Sequence, residues 1–255
     1  MAELRRLLIK TERLEANLGI DRCISLNPDE IHYLKRVLRL RSGDLISIVD
    51  GVGHIWEAML HEENSLHLCS PIDCPADEQA LSTPLICLAV TVPKRGFDEF
   101  LRMSCEIGVD IIQPLVSDRS VVRIEGDGRI SRWEGIIREA VEQSERLWKP
   151  EIRSIVDVKN WLRDLPSKSA CAFASPRLVR PIDSQLWMMK SKKEINQMWI
   201  AIGPEGGWTL KEQLLVKEFG CHEVQLGESI LRTSTAAVVA TQLMVDWRRN
   251  SSLCI

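Results

Sequence analysis

The sequence predicts two domains: a small β-rich domain, followed by an α/β domain with a mostly parallel sheet. Up to residue 78, short strand and turn patterns surround a helix, and residues 71–84 are rich in proline and acids. From Leu85 onwards, apolar strand patterns alternate with helical patterns. Such alternation is typical of a parallel sheet that is covered by helices on both faces. We therefore predict domains at 1–78 and 79–255.

Length and composition restrict the class of protein to which the chain can belong. The chain has 255 residues, a hydrophobic fraction of 45% and a net charge of −3. It can bury a sizeable core, and it is not a bulk polycation that coats nucleic acid. It has no apolar run of about 18 residues and no secretory signal pattern at its start. We therefore expect a cytoplasmic protein without a membrane partner.

The cysteines and histidines do not predict a metal site. Eight cysteines are scattered along the chain, and none forms a CxxC pair. We interpret them as reduced thiols, mostly buried. A zinc site could be built only from a loosely spaced set, and a second ligand pair is missing elsewhere in the sequence. That set is His61, His67, Cys69 and Cys74.

In the first domain, the elements follow from local signals. Asn27, Pro28 and Glu30 form the start signal of a helix, which we expect to run to about Leu40. Strands are predicted at 45–49, 55–60 and 65–70, and Asp50-Gly51 forms a hairpin-type turn between the first two. Short strands around a helix predict a small β-barrel.

The predicted helix carries a basic stripe. Its members are spaced i, i+3, i+4 and i+7, which places them on one helix face. No acid occurs between residues 31 and 42, although residues 1–80 contain nine lysines and arginines against fourteen acids. Such a stripe is suited to phosphate contacts with structured RNA, and an ordinary solvated helix face is the alternative. The stripe consists of His32, Lys35, Arg36 and Arg39, and Arg5 and Arg6 could extend it.

The second domain is predicted as five strand–helix alternations. The strands are expected at 85–91, 111–116, 170–174, 198–202 and 223–226. The helices are expected at 96–108, 132–147, 157–164, 209–219 and 233–248. Thr209 and Glu212 form a capping box at the start of the fourth helix, and Gly220 lies where that helix should end.

Two strand ends run into loops that precede helices. Residues 199–202 lead into Gly203-Pro204-Glu205-Gly206-Gly207, and residues 224–227 precede Leu231-Arg232-Thr233. Backbone N–H groups at such loops can hold a small polar cofactor, because glycine lets a ligand approach the main chain. The first loop lacks the lysine of a phosphate-binding P-loop and the spacing of a dinucleotide fingerprint. S-adenosylmethionine fits better than a triphosphate, and a pair of ligand-free turns is the alternative.

These loops and several upstream segments resemble a known family. The segments are IGPEGGW (202–208), LGESILRTSTAA (226–237), HYLKRVLRLRSGD (32–44) and EIGVDIIQPLVSDRSVVR (106–123). Together they resemble the ribosomal RNA small subunit methyltransferase E family of the knotted SPOUT superfamily. The resemblance implies a PUA-like barrel, an α/β methyltransferase domain with a C-terminal trefoil knot, and a homodimer. It also implies S-adenosylmethionine as cofactor and methylation of N3 of one uridine in 16S ribosomal RNA.

The resemblance also implies which residues act. Arg232 would be catalytic and would stabilise the uracil anion that forms when N3 loses its proton. Arg119 and Arg146 would hold phosphate or act from the partner subunit. Glu205 would bond a ribose hydroxyl or brace its turn, and Trp208 is left open between packing and ligand contact. The cofactor pocket would consist of Ile202, Gly203, Glu205, Gly206, Gly207, Leu226, Gly227, Ile230, Leu231, Arg232 and Thr233.

The chain departs from the family pattern at a few positions. The family usually has lysine, Pro-Arg, glutamate and glycine where this chain has Met103, Glu228-Ser229, Ser234 and Glu145. None of these changes touches the backbone of the glycine loops. They leave two alternatives open: a related RNA methyltransferase with another target nucleotide, and an RNA-binding protein that keeps the fold without turnover.

Overall fold

The computed structural model describes residues 5–16, 22–62, 64–120, 128–175, 182–191 and 194–252. The chain divides into two compact units. Unit 1 consists of Met1–Leu81 and Val141–Lys149, and unit 2 consists of Ser82–Ala140 and Pro150–Ile255. The sequence patterns placed residues 141–149 in the second domain, whereas the structure includes them in unit 1.

Unit 1 is built on a six-stranded sheet. Its strands lie in the order β1-β3-β4-β5-β2, and β6 pairs with β4. Only β1 and β3 run parallel; the other pairs are antiparallel. The strands are β1 (Arg6–Leu8), β2 (Cys23–Ser25), β3 (Leu45–Val49), β4 (His54–Leu60), β5 (Ser65–Leu68) and β6 (Asp77–Glu78), and helix α1 (Thr11–Ala16) follows β1. The strands predicted at 45–49 and 55–60 are confirmed, and the strand predicted at 65–70 ends at Leu68. Strand β6 lies in the segment 71–84 that is rich in proline and acids.

Helix α2 (Pro28–His32) begins at the predicted capping box. The Asn27 side chain accepts from Glu30 N and the Glu30 carboxylate accepts from Asn27 N, both at 2.9 Å. The chain then continues as a π-helix over Tyr33–Val37. Leu38 N donates to Tyr33 O at 2.9 Å, five residues back, so each turn here holds more residues than an α-helical turn.

The π-helical turn changes the predicted basic stripe. The helical segment ends at Val37 rather than at Leu40, and Arg39 has a left-handed φ of 58° outside it. The prediction that Arg39 shares one helix face with the other stripe residues is therefore wrong. Val37, the last residue of the π-helical turn, is 57% exposed.

Residues 141–149, which begin within the last turn of the helix at 128–144, complete unit 1. Glu142 is buried and accepts from Leu8 N at 2.9 Å. Arg6 donates to the carboxylate of Glu145 at 2.9 Å. Trp148 Nε1 donates to the carbonyl oxygen of Gln79 at 2.8 Å. Long-range pairings, rather than a local signal, therefore assign this segment to unit 1.

Unit 2 contains an eight-stranded sheet in which all pairs are parallel. The order is β10-β8-β7-β13-β11-β14-β12, and β9 pairs with β8. All five predicted strands are confirmed to within one residue. The three that were not predicted have only two residues each. The strands are β7 (Leu85–Thr91), β8 (Ile111–Val116), β9 (Glu151–Ile152), β10 (Val156–Asp157), β11 (Ser169–Ala174), β12 (Ile182–Asp183), β13 (Gln197–Ile202) and β14 (His222–Gln225).

Helices cover this sheet on both faces, as the alternation predicts. Along β7, Ile86, Leu88 and Val90 enter one apolar cluster, and Cys87 and Ala89 enter the other. Burial raises the pKa of the Cys87 thiol well above its usual value, so this thiol stays protonated. The helices are α3 (Phe97–Ile107), α4 (Gly128–Ser144), α5 (Val158–Arg163), α6 (Ser184–Lys190), α7 (Leu210–Glu218) and α8 (Thr233–Ser252). Among the helices of the described residues, none is long and apolar enough to cross a membrane.

Helix α8 is attached to the sheet at both ends. At its start, Thr233 Oγ1 donates to Gly203 O at 3.0 Å. Near its end, Arg248 forms an ion pair with Asp110, and these side chains are only 13% and 9% exposed. Asp110 also accepts from Ile86 N at 2.8 Å, which links the pair to the start of β7.

We expect Arg248→Met to lower the free energy of unfolding by about 3 kcal/mol, because it leaves a nearly buried carboxylate without its cation. Urea denaturation measures this loss. Arg249→Met is the matched control, since Arg249 is 73% exposed in its pair with Asp246 and should contribute less than about 1 kcal/mol. Equal losses of unfolding free energy in the two variants would contradict a stabilising role of the Arg248–Asp110 ion pair.

Candidate cofactor-binding site

A cavity of about 540 Å³ opens in unit 2 where three parallel strands end. These strands are β13, β11 and β14, which are neighbours in the sheet, so their carboxyl ends meet at one edge. In open α/β sheets, ligands bind at this edge. All eleven predicted cofactor residues line the cavity, from Ile202 to Gly207 in the first loop and from Leu226 to Thr233 in the second. Ala174 and Ser175 also line it, at the end of β11.

The glycines of the first loop serve different purposes. Gly207 has a φ of 69°, and its N–H donates to Pro204 O at 2.8 Å, which closes a tight turn. A Cβ at Gly203 would lie 2.9 Å from the ring of Trp208, so this glycine makes room for the indole rather than for a ligand. A Cβ at Gly206 would lie 3.4 Å from the side chain of Arg119. By contrast, a Cβ at Gly227 in the second loop would meet no atom within 4 Å.

Trp208 is a packing residue that also forms part of the cavity wall. It is 5% exposed, and its Nε1 donates to Ala174 O at 3.0 Å. Its ring meets the edge of Phe173 at a centroid distance of 6.4 Å. These contacts tie the first loop to the end of β11. Trp208 is therefore packed, and because it also lines the cavity, contact with a ligand stays a prediction.

The second loop leads directly into helix α8. Ala236 N donates to Arg232 O at 2.8 Å, which closes the first helical turn. Arg232, Thr233 and Ala236 all line the cavity. The free N–H groups of a helix start carry a partial positive charge, so polar ligand atoms are favoured at this side of the cavity. Because Thr233 bonds Gly203 O, the two loops are held together as one rim.

A buried carboxylate braces the first loop from behind. Glu212 is 5% exposed. Its Oε2 accepts from Thr209 N at 2.8 Å, as the capping box predicts. Its Oε1 accepts from Asp118 N at 2.9 Å, and Asp118 belongs to the turn that follows β8. Glu212 therefore joins the start of α7 to the turn that carries Arg119, a link that no local pattern indicates.

Among the residues that the structure describes, the cations that line the cavity are Arg119 and Arg232, and both are exposed. Arg119 Nη1 donates to Gly206 O at 2.8 Å, so it contacts the first loop of its own chain. Arg232 has no ion-pair partner among the described residues. Sequence reasoning did not predict the contact between Arg119 and Gly206, because the two residues lie 87 positions apart.

The other residues predicted to bind RNA do not line this cavity; all of them belong to unit 1. Arg6 is paired with Glu145, and Lys35 Nζ donates to Asn64 Oδ1 at 2.6 Å. Arg146 N donates to Val141 O at 3.2 Å. The remaining four are exposed: Arg5, His32, Arg36 and Arg39.

The chain matches two family models. Residues 81–245 match the RNA methyltransferase domain, and residues 26–69 match the RNA methyltransferase PUA domain. The chain is 32% identical over 239 residues to the ribosomal RNA small subunit methyltransferase E of Synechocystis, with 92% of this chain and 75% of the relative covered. It is 28% identical over 228 residues to the protein of the same name from Buchnera aphidicola, with 88% and 90% covered.

The chain belongs to the ribosomal RNA small subunit methyltransferase E family. A solved structure of a protein with this family name, from Neisseria gonorrhoeae, is bound to S-adenosylmethionine. It has a TM-score of 0.77 and 29% identity to this chain, and 95% of this chain and 97% of that one are covered. Unit 2 thus has the α/β methyltransferase fold of the family, and unit 1 contains its PUA domain.

The departures from the family pattern can now be placed. Ser229 lines the cavity, Met103 is half-buried on α3, and Ser234 follows the cavity-lining Thr233. Glu145 has a left-handed φ of 60°, the conformation that favours glycine, and the family pattern usually has glycine there. In this chain, Glu145 has this less favourable backbone conformation, and its side chain forms an ion pair with Arg6.

Proposed function

We propose that this protein uses S-adenosylmethionine to methylate N3 of a specific uridine in 16S ribosomal RNA. The observation that carries the proposal is the single cavity that both glycine loops line, in a member of a ribosomal RNA methyltransferase family. The cofactor bound by the Neisseria gonorrhoeae relative and the name shared by the relatives support it.

The residues of the cavity fit a methyl donor that carries an adenosine. The volume of about 540 Å³ lies within the range of sites for small molecules. Main-chain groups of the two loops would hold the adenine and the ribose, and Leu226 and Ile230 would provide apolar contact with the ring. Glu205 is exposed at the rim and would accept from a ribose hydroxyl. When bound, the cofactor supplies a methyl group on a positively charged sulfur.

Arg232 is the proposed catalytic residue. Uridine N3 must lose a proton to become nucleophilic, and the negative charge then spreads onto O2 and O4. A guanidinium beside one of these oxygens stabilises that charge. Arg232 suits this task because it is exposed, lines the cavity and has no acidic partner among the residues that the structure describes.

The remaining family properties are part of the same proposal. The PUA domain would bind RNA through its exposed cations Arg36, Arg39 and His32, and Arg146 and Arg5 of the same unit would contribute. A homodimer, a closed barrel in unit 1 and a C-terminal trefoil knot in unit 2 stay predictions, as does the cytoplasmic location.

Ser229 favours a second candidate function. It lines the cavity at a position where the family usually has arginine, so one cation is missing beside the reacting groups. A protein that binds RNA without turnover, or one that modifies another nucleotide, would be compatible with this loss.

Arg232→Ala tests the proposal. We expect the methylation rate to fall by about a hundredfold or more, because the developing negative charge loses its stabilising cation. The dissociation constant for S-adenosylmethionine should change little, since main-chain groups hold the cofactor. The rate is measured with 16S ribosomal RNA from a strain that lacks the gene, and calorimetry gives the affinity.

Mass mapping of the same RNA then identifies the modified base. A wild-type protein that binds S-adenosylmethionine but leaves the RNA unmodified would favour the candidate without turnover. Failure to bind S-adenosylmethionine at all would end the enzyme hypothesis.

A further inference from the structure

The loop between β7 and α3 leaves the sheet beside the cofactor cavity. In the sheet, Val90 pairs with Ile202, the last residue before the first glycine loop. Thr91 Oγ1 donates to Ile202 O at 3.1 Å in a buried hydrogen bond. Residues 92–96 therefore start at the same edge as the cavity, one strand away from the first loop.

The far end of this loop lies against the start of α8. Gly96 has a φ of 82° and directly precedes α3. A Cβ at Gly96 would lie 3.5 Å from Ser234 Oγ. Ser234 follows Thr233, which lines the cavity and bonds Gly203 O. Since consecutive Cα atoms are about 3.8 Å apart, residues 94 and 95 must lie close to the rim of the cavity.

Lys94 and Arg95 project from this loop as exposed cations. Neither has a hydrogen-bond or ion-pair partner among the residues that the structure describes. The arginines of the neighbouring surface are paired: Arg102 contacts Glu106 at 2.7 Å, and Arg132 contacts Asp98. The unpaired state of the two loop cations is thus a local feature rather than a property of the whole surface.

The acids near this rim belong to other segments. Glu205 and Glu228 are exposed on the two cofactor loops. There, their negative charge would be attracted by the positively charged sulfur of a bound methyl donor. Glu99 lies in the first turn of α3, where a carboxylate is favoured by the partial charge of the helix start. None of the three forms an ion pair with Lys94 or Arg95 in the described part of the chain.

We propose that Lys94 and Arg95 bind the RNA phosphates that flank the target nucleotide. This inference rests on the proposed function. An enzyme that acts on a base must take that base out of its stack, so the adjoining backbone has to cross the rim of the cavity. Cations at the rim then hold the phosphates and position the base. The site belongs to unit 2 and shares no residue with the predicted RNA-binding residues of unit 1.

The test compares two double variants. Lys94→Ala/Arg95→Ala removes the proposed site. Arg163→Ala/Lys168→Ala removes two exposed cations on the segment that leads into β11: Arg163 ends α5, and Lys168 directly precedes β11 at the amino end of that strand. Binding of transcribed 16S ribosomal RNA is measured at a series of KCl concentrations, and binding of S-adenosylmethionine is measured by calorimetry.

For the first variant, we expect the slope of log affinity against log salt to become shallower by about 1.4 to 1.8, since each phosphate contact contributes about 0.7 to 0.9. The slope of the control variant should match that of the wild type, and all three proteins should bind S-adenosylmethionine equally. An unchanged slope in the first variant, or equal changes in both variants, would overturn the phosphate site. Loss of S-adenosylmethionine binding in the wild type would instead refute the proposed function.

Discussion

Valine at position 227 is expected to abolish binding of S-adenosylmethionine and to leave the Tm of the protein unchanged. Gly227 lines the cavity, and a Cβ there would meet no protein atom within 4 Å. Its φ lies outside the left-handed region, so an L-residue fits its backbone without strain. The added methyl groups would occupy space that the ligand needs. We expect the dissociation constant to rise at least about a hundredfold, which corresponds to about 2.8 kcal/mol.

Gly203→Val is the matched comparison, because it should act on the fold. Its Cβ would lie 2.9 Å from the buried ring of Trp208, and overpacking of this kind costs about 1–3 kcal/mol. Thermal denaturation and calorimetry on both variants separate the two effects. If Gly227→Val bound the cofactor with normal affinity, the cavity would not be the cofactor site. Gly206 is less suitable for this test, since its Cβ would press on Arg119 at 3.4 Å.

Replacing Glu212 with glutamine is expected to weaken cofactor binding from a distance. The carboxylate accepts from Asp118 N and Thr209 N, one on each oxygen, at 2.9 and 2.8 Å. An amide has one acceptor oxygen, so its NH₂ group would face one of these N–H donors. An unsatisfied buried donor costs about 1–3 kcal/mol. We expect the dissociation constant for S-adenosylmethionine to rise about tenfold, because the turn that carries Arg119 loses one of its links to the start of α7.

A double-mutant cycle with Arg119→Ala distinguishes this effect from simple loss of a helix cap. If Glu212 acts through Arg119, the two changes should be non-additive by about 1 kcal/mol in cofactor binding. If the two changes in binding free energy are additive, the role of Glu212 is restricted to capping the start of α7. Glu218→Gln, at the exposed end of the same helix, should bind the cofactor like the wild type.

The sequence could predict the longer strands of unit 2 and most of its helices because each has a local cause. A buried parallel strand has a continuous apolar run, and a helix start has a capping box such as Thr209 with Glu212. The glycine loops were predictable for the same reason, and all eleven residues that they contribute line one cavity. The basic helix shows the limit of local patterns. Because of its π-helical turn, Arg39 does not share a helix face with the other cations, and the spacing of side chains in the sequence does not predict such a turn.

What the sequence determined by itself was therefore the five longer strands of unit 2, the two loops and the family resemblance. Only the tertiary structure showed that β11 lies between β13 and β14, which brings Ala174 and Ser175 into the cavity wall. It alone assigned residues 141–149 to unit 1, and it showed that Gly203 makes room for Trp208. The physical reason is that such contacts join residues tens of positions apart. Their free energy depends on packing and hydrogen bonds that form only when the whole chain is folded.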